Sequence, residues 1–346
     1  MLLFGYKDDR AAPFAHAIFL SCSFTDFVAW LRGLACRQRD YLLEPDVAIS
    51  SFSGKALVAV GLSIVAAFSF SAVDTIVKGL MAGGMDALFA QGVRGWAVVL
   101  GIMIVMTIQN KQPDYRLIRP RAWIMWLRGL SMLIASVFMF VALAKIEQAT
   151  VVAVVFLYPL LVGLLGALFL NEPIGPRRVA FILLGFVGVA LAAGVTPATF
   201  QVWALLPAVA AVLISIQAVS VRWVSDRMSP LELSYVTTGV MAICGTPLLF
   251  LGSAGDLGWQ HLGLFILVGG LSTLGTTSAA FAFIHAPMGL VSSLTYSSII
   301  FSTMLAWFFF DEVPAVRVFI AMALIIVAGM GYLYYQHRAE AAIAKS

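Results

Sequence analysis

Ten stretches of about twenty mostly apolar residues run through this chain with only short breaks between them, and that pattern leaves it one solvent. A helix rising about 1.5 Å per residue needs about 20 apolar residues to cross the hydrocarbon of a bilayer. Such stretches fall near 56–78, 87–108, 122–144, 149–170 and 177–195, and again near 201–221, 230–251, 260–284, 289–310 and 315–335. Numbered in order, they are spans 1 to 10. Turn and stop residues separate several of them: Ala82-Gly83-Gly84, Asn171-Glu172-Pro173, Thr196-Pro197, Ser229-Pro230 and Asp311-Glu312-Val313-Pro314. The 346 residues are 62% hydrophobic and 11% charged, where a soluble domain carries about 25% charge. The expected fold is therefore an all-α integral membrane protein of ten transmembrane helices, because a helix satisfies its own backbone in lipid.

The first 54 residues do not fit the pattern. The run from Phe14 to Leu34 is interrupted by His16, Asp26 and Arg32, and it lacks the small-residue cleavage site of a secretory signal. An interfacial helix or a disordered arm is expected there. The expected units are this arm at 1–54, five-helix repeats at 55–196 and 197–336, and a short tail at 337–346.

The net charge of +4 is a matter of orientation rather than of nucleic-acid binding. With the N-terminus inside, sixteen Lys and Arg fall on the cytoplasmic side and three on the other. The bias persists at ten to three without the arm, and such a bias sets topology. Both termini are expected in the cytoplasm.

Several function classes lack their residues. No G-x-x-x-x-G-K-[ST] loop is present, and no connection is long enough for an ATPase domain. Cys22, Cys36 and Cys244 have no disulfide spacing, and His16, His261, His285 and His337 stand without neighbouring ligands. Neither an enzyme, a metal nor a cofactor is expected. The expected partners are a small-molecule substrate and lipid, in a monomer or homodimer.

An internal repeat narrows the mechanism. A shift of 140 residues lays Ala142–Leu191 on Ala282–Gly331 without a gap, with Glu172 on Glu312, Arg177 on Arg317 and Phe169 on Phe309. A shift of 144 sets Lys78 on Arg222 and Gly95 on Gly239. Five spans per repeat force the two halves to enter the membrane in opposite senses. Inverted repeats serve secondary transporters, whose halves exchange inward-open and outward-open forms about a central site.

Charges and hydroxyls inside spans mark candidate working residues, because a bilayer charge costs about 2.5–3.5 kcal/mol or more unless it meets a partner or a cavity. Asp74 and Lys78 lie one turn apart on span 1, as an intrahelical pair or as a coupling or gate element. Arg94 and Arg128, early in spans 2 and 3, either snorkel to headgroups or hold an anionic substrate. Pro159 should break span 4 and free a carbonyl near Val155, with Phe156 and Tyr158 beside it. Span 9 carries Ser292, Ser293, Thr295, Tyr296, Ser298 and Ser302, and span 8 Ser272, Thr273, Thr276, Thr277 and Ser278. These are either helix glue or one polar wall of a pathway. The expected substrate contacts are Arg94, Trp96, Arg128, Phe156, Tyr158, Tyr296 and Ser298.

The two five-span units, the stretch Ala142-Leu-Ala-Lys-Ile-Glu-Gln-Ala-Thr150, the span ending Leu170-Asn-Glu-Pro173 and the following Gly185-Phe-Val-Gly188 resemble the EamA-type transporters of the drug/metabolite transporter superfamily. The resemblance covers roughly residues 55–335 and implies transport of a small metabolite. Phe70-Ser-Ala-Val-Asp74 with Val77-Lys78-Gly79 looks like the subgroup of riboflavin and S-adenosylmethionine importers. It implies import of a flat heteroaromatic compound such as riboflavin, stacked on Trp96, Phe156, Tyr158 or Tyr296. The alternative is an exporter of amino acids or related metabolites.

Overall fold

The computed structural model describes residues 54–109, 122–170, 175–194, 201–224, 228–255, 261–285, 291 and 294–343. Among them there are helices and turns and no strand. The N-terminal arm, Glu172, Ser292 and Ser293 lie outside the described residues.

Spans 1, 2 and 3 are the helices Gly54–Ala82, Ala87–Ile108 and Ala122–Leu143. Span 4 is two helices, Gln148–Val155 and Tyr158–Leu170, and span 5 is Pro176–Ala193. Span 6 is Leu205–Ser220, with single 3-10 turns at both ends. Span 7 is Pro230–Gly245, continued past Pro247 by Leu248–Leu251, and spans 8 and 10 are Leu262–His285 and Val316–Ile343. Nine of these are long and apolar enough to cross a bilayer, and span 9, Ser297–Phe310, is a shorter apolar helix.

Span 4 breaks where Pro159 predicts. Leu157 N and Leu160 N donate to the carbonyls of Val154 and Leu157 at 3.2 and 3.1 Å, tight turns in place of the regular ladder. Span 9 breaks too, without a proline. Tyr296 is a turn residue, and Ile299 N donates to its carbonyl at 3.1 Å. Phe156 and Tyr296 are related by the 140-residue shift, so the two interruptions occupy equivalent places in the two halves. Their rings meet, with centroids 5.3 Å apart.

The halves interlock rather than sit side by side. Span 1 packs on spans 8 and 9, span 3 on spans 6 and 7, span 4 on spans 6 and 9, and span 5 on span 10. Close approach depends on small residues, as is usual where lipid removes the hydrophobic drive between helices. A Cβ on Gly95 would stand 3.3 Å from the backbone of Ala242. The largest buried cluster joins Phe156, Leu157, Leu160, Tyr296, Ile299, Ile325 and Tyr332 from spans 4, 9 and 10. Ile104, Leu183, Val187, Ile266 and Phe308 point outward, an apolar coat suited to lipid chains.

Two ends of the bundle are distinguishable. Asp86 N donates to Ser253 O at 2.9 Å, which brings the turn around Gly84 to the turn after span 7. The other end carries the Ser229 cap of span 7. There Glu232 forms a capping box with Ser229. Its Oε2 accepts from Ser229 N at 2.8 Å and Ser229 Oγ accepts from Glu232 N at 3.4 Å.

Candidate functional site

At the Gly84 end a polar cluster ties the halves together. Lys78 Nζ donates to Glu312 Oε1 at 2.5 Å and to Ile146 O at 3.2 Å. Glu312 Oε2 accepts from Gln148 N, at the first turn of span 4, at 3.1 Å. The Gln148 side chain is fully buried, and its Nε2 donates to Thr75 Oγ1 at 2.9 Å and to Ser302 Oγ at 3.0 Å. Lys78 is therefore paired across the repeat boundary, not with Asp74 one turn away. The intrahelical pair considered from spacing gives way to an inter-half pair, because span 9 brings a second carboxylate within contact of the lysine.

Asp74 faces a different charge. Its electrostatic partner is Arg94 of span 2. Asp74 lies about eight residues from the end of span 1 and Arg94 about seven from the start of span 2, so both sit roughly 10–12 Å into the bundle from the Gly84 end. The two do not reach ion-pair distance. Arg94 is held from two other sides. Its Nε donates to Ser272 Oγ of span 8 at 3.3 Å, and its guanidinium lies over the Phe140 ring of span 3 at 5.4 Å. This place is built from spans 1, 2 and 3 of one half and span 8 of the other.

Arg128 looks similar in sequence and is spent differently. It is 4% exposed. Its Nε donates to Thr237 Oγ1 at 3.2 Å, and one terminal nitrogen donates to Gln217 O at 2.5 Å and Ser220 Oγ at 3.2 Å. It fastens span 3 to spans 6 and 7 and neither snorkels nor offers an open fork.

The sequence model of the EamA-like transporter family matches twice, over residues 57–194 and 201–334. The chain belongs to that family. Two relatives of this EamA-like transporter are the pseudopaline exporters CntI of Pseudomonas aeruginosa strains UCBPP-PA14 and PAO1. Each is 28% identical over 270 residues, covering 77% of this chain and 93% of the relative. A solved crystal structure shares the fold at 20% identity with a TM-score of 0.58, covering 84% of this chain and 100% of its own. The protein is thus a multi-pass membrane transporter of ten helices in two inverted five-helix repeats.

In the EamA-like chain the expected aromatic contacts scatter. Trp96 is 39% exposed and donates Nε1 to Thr246 Oγ1 at 3.1 Å, on the outer face between spans 2 and 7. Phe156 and Tyr296 are buried against one another. Tyr158 adjoins Phe156 at 5.9 Å, and its hydroxyl engages Thr295. Ser298, expected to contact substrate, donates to Ala67 O at 3.4 Å while Ser71 donates to Ser298 O at 3.1 Å, a reciprocal stitch between spans 1 and 9. The hydroxyls of span 8 mostly bond back one turn: Thr273 to Gly269 O, Thr276 to Ser272 O and Thr277 to Thr273 O at 2.7–2.9 Å. Helix glue describes them better than a polar wall.

Sequence reasoning missed Glu312 as the partner of Lys78, and it missed Gln91, Phe140 and Gln148; it named Ser272 among the span 8 hydroxyls but not as the partner of Arg94. Gln91 and Gln148 carried a usable signal, since an amide in an apolar stretch needs an internal partner. Phe140 carried none. No cluster of metal ligands occurs among the described residues.

Proposed function

We propose that this protein exports a small polar metabolite, an amino acid or a compound related to one, across the bacterial inner membrane by alternating access of its inverted halves. The observation that carries the reading is the place between the halves where Asp74 and Arg94 lie well inside the bundle, away from headgroups. Charged groups there suit a polar solute. Two paired interruptions, in spans 4 and 9, supply the irregular backbone that transporters concentrate near a central site. The direction is supported by the exporters to which 77% of the chain is similar. Riboflavin import loses its support on the same grounds. The rings meant to stack a flat substrate are spent on one another, as Phe156 and Tyr296, or lie on the outer face, as Trp96.

The test is transport by the purified chain in sealed liposomes. Preloaded with a mixture of labelled amino acids, such vesicles should release one or a few of them with saturable kinetics and without ATP. Saturable movement of riboflavin with no movement of any amino acid would restore the importer reading.

A further inference from the structure

We propose that Asp74 and Arg94 form one split site for a zwitterion, with Arg94 taking the carboxylate of the substrate and Asp74 its ammonium group. The inference rests on the transport reading above and assigns the chemistry of its site.

Arg94 is prepared for an oxyanion. Ser272 takes its Nε–H and Phe140 supports its face, which together fix the plane of the guanidinium. The terminal nitrogens have no partner among the described residues. A planar fork with both prongs open matches the two oxygens of a carboxylate.

Asp74 is the converse. It accepts no hydrogen bond among the described residues, and no cation reaches ion-pair distance. Lys78, four residues on, is committed to Glu312 and Ile146. A carboxylate inside a bilayer without a contact partner is costly. Arg94 offsets that cost only from beyond contact distance. An ammonium reaching the Asp74 carboxylate would supply the missing contact.

A third observation marks the same place. Gln91, three residues before Arg94 and on the same helix face, is fully buried, and neither its amide oxygen nor its nitrogen has a partner among the described residues. It offers a spare donor and acceptor one turn from the guanidinium. The charge balance is also favourable. A zwitterion between a carboxylate and a guanidinium adds no net charge to the bundle, so the loaded transporter moves no more charge than the empty one.

The experiment uses the full chain purified in detergent and follows its thermal unfolding with one probe at a time. The probes are the twenty L-amino acids, glycine betaine, and for each compound that binds, its decarboxylated amine and its deaminated acid. At least one zwitterion should bind the wild type about tenfold to hundredfold more tightly than either singly charged analogue, the range expected when a charge-assisted contact is lost. Asp74→Asn should erase the preference over the deaminated acid and spare the preference over the amine. Arg94→Gln should do the reverse, and Arg94→Lys should retain part of the carboxylate preference. Unfolding midpoints without probe identify any variant that fails to fold, in which case Asp74→Glu and Arg94→Lys carry the comparison. Absence of binding by every zwitterion, or variants that weaken all probes equally, would overturn the assignment. So would an Asp74→Asn protein that keeps full discrimination and loses only uphill transport, which would return Asp74 to coupling. Binding discrimination without any transport in liposomes would instead defeat the export reading and leave the site standing.

Discussion

Arg94 and Arg128 show how far a residue can be read before its neighbours are known. Each lies six or seven residues into its span, and nothing local separates an open guanidinium from a spent one. The partners that decide, Ser272 for Arg94 and Gln217, Ser220 and Thr237 for Arg128, are far away in sequence and visible only after folding. Arg128→Lys should lower the unfolding stability by about 1–3 kcal/mol, because an ammonium cannot reproduce the fork that spans three partners. Thermal unfolding in detergent measures this. Transport by the folded fraction should keep its KM, since Arg128 has no free terminal fork for substrate. Tyr296 gives a second residue-scale expectation. Its ring and hydroxyl lie against Gly329 so closely that a Cβ there has no room. Gly329→Ala should therefore destabilise by about 1–3 kcal/mol through overpacking, by the same measurement.

At the scale of elements, span 4 was half legible and span 9 was not. Pro159 announces a lost hydrogen bond, and the break falls beside it. Span 9 breaks at Tyr296 with no proline, so the interruption belongs to the packing of the two halves more than to the imino acid. Pro159→Ala is accordingly expected to change stability by less than about 1 kcal/mol and to leave transport within about threefold, as checked in liposomes. Ten apolar stretches were readable because lipid demands length and composition alone. The cross-half cluster at the Gly84 end was not, because the Lys78–Glu312 pair joins elements on either side of the repeat boundary. Lys78→Gln should lower the unfolding midpoint and slow transport. The exchange Lys78→Glu with Glu312→Lys should recover part of both, whereas a lysine that pairs with Asp74 would show no such recovery.

For the whole molecule, the repeat shift and the odd span number made the inverted architecture legible without any contact being known. The membrane sidedness expected from the Lys and Arg count is open to direct test. Cysteines placed at Gly84 and Gly255 should react with impermeant reagents from outside intact cells, and one at Gly175 should react only after the membrane is opened. Labelling of all three from outside would remove the inverted arrangement. What the sequence could not yield at this scale is which charges meet between the halves, since an apolar stretch aligns with any other and carries no register.

The ring contact between Phe156 and Tyr296 has a kinematic consequence. Two residues related by the repeat and touching each other must lie on the pseudo-twofold axis of the molecule. In the proposed rocking exchange the two halves trade conformations, which interconverts the contacts off that axis but returns the axial contact to itself. The pair is then a fulcrum. A short crosslink between cysteines at 156 and 296 should leave transport running, while one between cysteines at 78 and 312, far out on the lever, should arrest it.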